Sequence, residues 1–479
     1  MQTAPMHATP GTVGSPVESP VGSAVGPQVA RLDPPQHAPQ ALPQLAAATQ
    51  DQPLPIVILG GGPIGLACAL LLAQRGMACT LLDARPLAAL QRDRRLLALS
   101  RGSLLVLETL LGRDFAPTAA IRRVLVSSSG SLGSAHLGAA DFDGLAVGAT
   151  CWYAELVGAL GDAVARTPGI RVLRPRRALG VDQQANQVCV RLDDGSVLEG
   201  SLAIDAEGTP PRLPQPRYSA LLAELQVQHC PVGDAIERFT PEGPLALLPV
   251  PGAGTGVDYQ GTGATGTGTI SGGIDTGTHN GTRTMSLVWC LSTDLARERQ
   301  ALPAPELLQR IQAALGPRQA WVKGLDHCSV FGLSTHRLRE VCEHRLVHLG
   351  NAAQSLHPVA GQGFNLGLRD CLVLADTLAE TFGDAQRTGS LPSGTAVPAS
   401  GAPAGLRVPA DPAQALRRYA ARRRVDRTLL PALTSALPVI FTSPLLPVRT
   451  GRGLGLLALD LLPAVRRPFT RLLMQGPPR

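Results

Sequence analysis

The stretch IVILGGGPIGLACALLLAQRGMACTLLD, Ile56–Asp83, decides the fold. Ile56–Leu59 is a short apolar run, rich in β-branched residues and stopped by glycines, as a buried strand would be. Leu66 to Gln74 is apolar nearly all round, which predicts a buried helix, and Gly76 stops it. Cys79 to Leu82 reads as a second strand, ending at Asp83. Strand, helix and strand in so short a span make a βαβ unit, which implies a parallel sheet. Gly60, Gly62 and Gly65 fit G-x-G-x-x-G between the first strand and the helix. The first permits a tight turn, the second lets a pyrophosphate approach the backbone, and the third lets the helix pack on the strand. Asp83 lies 23 residues past Gly60, where a carboxylate accepts a ribose hydroxyl and repels a 2′-phosphate.

A second glycine-rich stretch, LVHLGNAAQSLHPVAGQGFNLGLRDCLVLADTL, runs from Leu346 to Leu378. It predicts a buried strand at Leu346 to Leu349, a polar loop, and a helix starting near Gly361. A loop and a helix N-terminus that aim N–H groups at one point form an anion site. The helix end supplies roughly half a positive elementary charge, which suits the anionic edge of a reduced flavin. Two weaker motifs stand between these. Arg94 and Arg95 precede an apolar run taken as the start of a helix, either as a solvated basic turn or as partners of a pyrophosphate or flavin. LAIDAEG, Leu202–Gly208, reads as a strand ending in an acidic turn, with a structural role favoured.

Length and composition bound the rest. A chain of 479 residues suffices for two or three domains. Residues 1–53 are rich in Pro, Ala, Gly, Gln and Val without apolar periodicity and read as a disordered tail, with neither a secretory nor a mitochondrial pattern. Helices are expected at about Ser103 to Leu111 and Tyr153 to Arg166. Strands are expected at Ile170 to Leu173, Val188 to Leu192 and Leu202 to Ile204, and in a more antiparallel region at 232–250 and 284–292. The Gly/Thr-rich residues 252–281 read as an insertion in a hairpin loop, and 383–412 as a second low-complexity insertion. The nine cysteines occur singly, without zinc-like spacing, and suit a reduced cytosol. His344 and His348, four apart at a predicted strand, read as packing and hydrogen-bonding residues rather than metal ligands. No run of about 18 apolar residues suggests a transmembrane helix. From Ala404 to Arg479 the chain carries 13 Arg, no Lys and three Asp, a balance of +10 that leaves the remainder at −3. Arg clusters beside Leu-rich stretches fit a membrane surface better than nucleic acid, with a solvated helical face as the plain alternative.

With these motifs in order, the chain resembles the FAD-dependent hydroxylases of ubiquinone biosynthesis, from about Pro55 to Gly476. GQGFNLGLRD carries the likeness most specifically. GNAAQSLHP, with Asn351 and Gln354 where most relatives have Asp and His, resembles the branch acting on 2-polyprenyl-6-methoxyphenol. The resemblance implies an α/β fold: an FAD-binding, Rossmann-like three-layer domain, an interleaved mixed-sheet substrate domain and a C-terminal helical segment. The expected order is FAD-binding domain at 54–215, substrate domain at 216–330, second FAD-binding part at 331–382 and basic helical segment at 413–479.

By resemblance, Gly60, Gly62 and Gly65 hold the FAD pyrophosphate, Asp83 the adenosine ribose, and Arg95 contacts the cofactor near its ring. Glu207-Gly208 stands where the family has Asp-Gly, a motif linked to FAD and to the nicotinamide cofactor. Asn351 stands where an Asp bonds the flavin ribityl or ribose, Gly350 beside it also belongs to the cofactor site, and Pro358, Gly361, Gly363 and Asn365 lie along the flavin ring. The implied reaction uses NADPH or NADH to reduce FAD, then O2 through a C4a-hydroperoxide, to hydroxylate a polyprenylated phenol. No general base is assigned; His357 is a weak candidate. The implied location is the cytoplasm, peripheral on the inner face of the membrane, beside other ubiquinone-biosynthesis proteins and without nucleic acid. Two other readings stay open: an FAD-dependent reductase or epoxidase of another isoprenoid, and a non-catalytic flavin-fold component of a quinone-synthesis complex.

Overall fold

The computed structural model describes residues 54–130, 133–142, 144–210, 213–252, 281–316, 320–355, 362–387, 411–442 and 445–475. In chain order the first elements are β1 (Ile56–Leu59), α1 (Pro63–Gln74), β2 (Cys79–Leu82), α2 (Leu87–Leu90), β3 (Leu96–Ser100), α3 (Arg101–Leu111), β4 (Thr118–Ile121), β5 (Arg123–Ser128), β6 (Ser134–Gly138), β7 (Gly148–Trp152) and α4 (Tyr153–Arg166). Then come β8 (Ile170–Leu173), β9 (Ala178–Gln183), β10 (Val188–Leu192), β11 (Val197–Gly200), β12 (Leu202–Asp205), β13 (Tyr218–Gln228), β14 (Asp234–Thr240), β15 (Gly243–Pro249), β16 (Arg283–Ser292), α5 (Thr293–Ala301), α6 (Ala304–Leu315) and β17 (Trp321–Leu333). The last are β18 (His336–Arg337), β19 (Leu346–His348), β20 (Gln354–Ser355), α7 (Gln362–Arg387), α8 (Ala413–Thr442), α9 (Leu446–Leu461) and α10 (Pro463–Gln475).

A parallel five-stranded sheet in the order β19-β12-β1-β2-β8 carries the first layer. Both of its faces are covered, which is why β1 and β2 are buried at every residue. Helices α1, α4 and α7 share the main core with one face through Leu66, Leu70, Leu156, Leu160, Leu374 and Leu378. The antiparallel sheet β11-β10-β9 covers the other face, Val190 and Leu192 packing on Val57, Leu59 and Leu82. Helix α1 is apolar all round because its sides meet the sheet, α4 and α7 together.

The second sheet has seven strands in the order β17-β13-β16-β15-β14-β5-β6. It is antiparallel except where β14 runs parallel to β5, so it is mixed. Alternation splits its residues between two faces. Leu225, Leu245, Leu287 and Trp289 join Leu307, Ile311 and Leu315 of α6 in a separate core. The opposite face, with Leu222, Glu237, Ala246 and Val288, borders a cavity. Helices α8, α9 and α10 lie on the cavity's far side; Phe441 stacks on Phe239 of the sheet with centroids 3.9 Å apart.

Several expected boundaries change. Leu96–Ser100 is strand β3, paired antiparallel with β7, not the start of a helix. Apolar runs of five cannot be told apart by periodicity alone, and here the partner strand decides. Strands β5 and β6 belong to the seven-stranded sheet although they lie within 54–215, and β17 continues through residue 330 to Leu333. Helix α7 extends to Arg387, five residues into the segment expected to be an insertion. The hairpin across the Gly/Thr-rich segment forms, Leu245 opposite Trp289 and Pro249 opposite Met285. Residues 253–280 and 388–410, like the N-terminal tail to residue 53, lie outside the described residues.

Candidate cofactor site and substrate cavity

The turn from β1 into α1 is built by backbone contact. Gly60 has φ +96°, and a Cβ there would stand 2.4 Å from the Ala206 carbonyl oxygen. A Cβ on Gly65 would stand 1.8 Å from the Gly60 carbonyl oxygen, so both positions need glycine for the fold itself. Gly62 is different. Its added Cβ would meet only the Tyr153 hydroxyl, at 3.6 Å. The protein leaves room for a side chain there, and the sequence keeps a glycine. Gly62 is also the N-cap of α1, with no side-chain cap and no acidic residue in the first turn. An uncapped, electropositive helix end beside open space fits a pyrophosphate.

Asp83 is buried at the end of β2. One carboxylate oxygen accepts the Gly61 N–H at 2.7 Å and the other the Arg85 N–H at 2.7 Å. Each oxygen keeps a lone pair for a ribose hydroxyl. Arg174, unremarked in the sequence, donates to the Gly61 carbonyl and stands 4.0 Å from Asp83. It follows strand β8, and only the strand order brings it to this turn.

The second glycine stretch meets the first. Gly350 has φ +55°, and its N–H donates to Asp370 at 3.2 Å. Cβ atoms on Gly350 and Gly367 would press on Ile64 of α1, the latter at 2.9 Å. Asn351 and Gly363 face each other across open space, the Asn351 amide oxygen 3.8 Å from where a Gly363 Cβ would sit. Asn365 is buried and faces strand β3, accepting the Ser100 N–H at 2.9 Å and donating to the Ala98 carbonyl at 2.9 Å. Pro358 and Gly361, with His357, lie outside the described residues. Glu207 and Gly208 follow β12; Gly208 has φ +93° with nothing within 4 Å of an added Cβ. Desolvation raises the Glu207 carboxyl above its ordinary range, helped by the charges of Asp205 and Asp83. His348 Nδ1 hydrogen-bonds Asp205 at 2.7 Å, a partner that sequence spacing did not indicate.

Between the seven-stranded sheet, β3 and the C-terminal helices lies a cavity of about 1100 Å³. Asn351, Ser355, Gly363, Phe364 and Asn365 line it where the second glycine stretch opens. Arg95 lines it too, paired with Asp93 at 2.6 Å and seated over the rings of Tyr153 and Phe331 at 4.9 and 5.2 Å. Most of the remaining wall is apolar: Val124, Val126, Leu222 and Val288 from the sheet, and Phe441, Leu456, Leu459, Phe469 and Met474 from the helices.

Residues 267–391 match a family described as an FAD binding domain, and residues 58–91 one described as an NAD(P)-binding Rossmann-like domain. The chain is 29% identical over 441 residues to the ubiquinone hydroxylase UbiL of Rhodospirillum rubrum, covering 88% of this chain and 89% of that protein. It is 26% identical over 433 residues to the 3-demethoxyubiquinol 3-hydroxylase of Escherichia coli, covering 87% and 97%. Over most of its length the chain is thus similar to FAD-dependent hydroxylases of ubiquinone biosynthesis. It is therefore an FAD-dependent monooxygenase. In fold it is similar to p-nitrophenol 4-monooxygenase PnpA of Pseudomonas putida, with a TM-score of 0.61 at 14% identity, covering 89% of this chain and 99% of that one. Among the described residues of this enzyme, no helix is long and apolar enough to cross a membrane, and no cluster of His, Cys, Asp or Glu could hold a metal ion.

Proposed function

We propose that the enzyme hydroxylates the ring of a polyprenylated phenol, with NADPH or NADH as reductant and O2 as oxygen donor. The observation that carries this is the cavity: long apolar walls joined at one end to the glycine-built cofactor site. When bound, FAD supplies the reduction of O2. The chain's own residues hold it and shape its surroundings. Gly60, Gly62 and Gly65 with the α1 N-terminus receive the pyrophosphate, and Asp83 a ribose hydroxyl. Asn351, Gly363 and Asn365 form the wall toward the substrate, which Arg95 also lines, and Gly350 and Glu207-Gly208 complete the proposed cofactor contacts. Asn351 offers an amide where a carboxylate would set a negative charge beside the pyrophosphate. The apolar walls keep water from the reacting centre, which protects a reactive oxygen species from discharge as peroxide.

The favoured substrate is a 2-polyprenyl-6-methoxyphenol, whose ring carbon para to the hydroxyl is electron-rich. The purified chain should bind FAD and turn yellow, and this phenol should accelerate NAD(P)H oxidation with a hydroxylated product. A protein that stays colourless with added FAD refutes the proposal. Preference for a demethoxyubiquinol would move the substrate assignment within the family.

A substrate with such a tail lies in the bilayer and must be collected at its surface. Ile440, Leu445, Leu454, Leu457, Leu461, Leu462 and Val465 are exposed on and around the helices that line the cavity. Helix α9 turns Leu456 and Leu459 to the cavity and leaves Leu454, Leu457 and Leu461 outside. Much of the segment's positive charge serves the fold instead: Arg422 pairs with Glu380, Arg423 with Asp370, and Arg466 with Asp141. The apolar face is thus the main membrane contact, with arginine as its supplement. Replacing Leu454, Leu457 and Leu461 by Ser should release the enzyme from vesicles of mixed zwitterionic and anionic lipid while sparing activity on a short-tailed phenol. Undiminished vesicle binding by that variant rejects this docking face.

A further inference from the structure

One carboxyl group stands in the apolar wall of the cavity with no part in holding the cofactor. Glu237 lies in the middle of β14 and lines the cavity. The strand registers place it in a row that crosses the whole sheet. Ala135 of β6 and Val126 of β5 lie on one side, and Ala246 of β15, Val288 of β16, Leu222 of β13 and Ser329 of β17 on the other. Every member of this row lines the cavity. Its immediate neighbours across the strands are Val126 and Ala246, and those two along the strand are Ala235 and Phe239. Isolated carboxyl groups in such surroundings are costly and need an account.

Among the described residues, no charged group is paired with it. On its own strand, Arg238 points to the other face and donates to the Ala314 carbonyl, while Asp234 is paired with Arg123 of β5. On β6, His136 is paired with Asp460 of α9. Strand β15 has no ionisable residue. Strand β16 offers Cys290, whose thiol burial pushes well up, with the Glu237 charge adding to the effect. At the end of α8, Arg452 of α9 donates to the Phe441 carbonyl. Elsewhere on the cavity wall stand Glu224, His327, Arg94 and the Asp93–Arg95 pair.

We propose that Glu237 is a catalytic residue of the ring hydroxylation, holding the substrate's phenolic hydroxyl and accepting its proton. This rests on the reading of the substrate as a phenol. The O–H bond breaks, its electron pair stays on the ring oxygen and activates the para carbon, and the proton converts the Glu237 carboxylate to the acid. The acid later returns that proton to solvent water. Burial pushes the Glu237 carboxyl up to about 8, which makes it a far better proton acceptor than an ordinary carboxylate and poises it near working pH.

The test uses the full chain with FAD and 2-geranyl-6-methoxyphenol. Phenol binding is read from the perturbation of the flavin spectrum, and turnover as hydroxylated product from pH 6 to 9.5. With the native enzyme, product formation should rise with pH through about 8, as an ionising base requires. Glu237→Gln should weaken phenol binding at least about 10-fold and abolish that rise, while FAD affinity reports that the cofactor site is intact. Glu237→Asp should retain the pH dependence at a lower rate. A second measurement needs no variant: the infrared band of a protonated carboxylic acid should disappear between pH 7 and 9 and shift when the phenol binds. Native-like binding and pH dependence in Glu237→Gln, or an infrared band unmoved by the phenol, overturns the role of Glu237. A native enzyme that oxidises NAD(P)H without responding to any phenol instead overturns the substrate reading beneath it.

Discussion

Replacing Arg423 should cost the enzyme about 4 kcal/mol of stability and weaken its grip on FAD. Arg423 is 1% exposed, between α7 and α8. Its guanidinium donates to Asp370 at 2.7 Å and to Asp426 one turn along its own helix. Removing one partner of a buried pair typically costs about 3–5 kcal/mol, because the remaining charge stays buried. Here each carboxylate keeps one other donor: Gly350 N–H at 3.2 Å for Asp370, and Arg369 at 3.3 Å for Asp426. That pulls the cost down. Asp426 also has one oxygen with no partner among the described residues, and Arg423→Ala leaves a void as well, which pulls it up.

A loss of about 4 kcal/mol is a large share of the roughly 5–15 kcal/mol that holds a domain together. The link to FAD is Asp370, which fixes the Gly350 N–H in the proposed cofactor wall. Urea unfolding with and without saturating FAD measures both effects, since ligand stabilisation reports affinity. Arg423→Met with Asp370→Asn should recover part of the loss, giving a coupling of at least about 1 kcal/mol in a double-mutant cycle. If Arg423→Ala costs under about 1 kcal/mol, or the two changes simply add, the buried pair is not what joins α7 to α8.

Gly62→Ala should fold normally, since its Cβ meets only the Tyr153 hydroxyl, yet bind FAD at least about 10-fold more weakly; Gly65→Ala, with its Cβ 1.8 Å from a carbonyl oxygen, should lose stability as well. Flavin titration and thermal melts of the two variants separate these outcomes. Glu237 should make stability fall with pH. Its carboxyl stays protonated in the fold to about 8 but ionises near 4.5 when unfolded, so stability present below 4.5 is lost as pH rises through 8. At 1.36 kcal/mol per pH unit the loss is bounded at about 5 kcal/mol, and water in the cavity lowers it. Glu237→Gln should flatten this slope in urea melts between pH 5 and 8.5; an unchanged slope means that the carboxyl is hydrated and ordinary.

The βαβ opening was legible because its signals agree: β1 and β2 are buried on both faces, the glycines sit in one turn, and α1 is apolar on every side. Tyr153–Arg166 is also a helix as read, with an amphipathic pattern and a basic last turn. The seven-stranded sheet was only half visible. Strand β17 alternates without deep burial along its length, so Trp321–Leu333 gives a weak hydrophobic signal. Strand β6 pairs with β5, and β5 sits far upstream of its other partner β14, a parallel pairing that leaves no local trace. At the site, the glycines announced themselves by spacing. Arg174, Tyr153 and Phe331 did not, because what defines them is the strand order that brings them to the turn and cavity wall. Glu237 falls in a region that reads as strand, 232–250, but its isolation appears only when its neighbours on β5 and β15 are known.

Asn365 couples two places that are otherwise separate. Its side-chain amide pairs with Ser100 N–H and Ala98 carbonyl as a neighbouring strand would, closing part of the free edge of β3. Strand β3 gives the cavity Leu96, Leu97 and Leu99, while Asn365 sits in the first turn of α7, beside Gly363. A displacement of that helix end therefore peels the edge of the substrate wall. Cofactor departure and wall opening become one event, and backbone amides of β3 should exchange with solvent at a rate set by FAD occupancy.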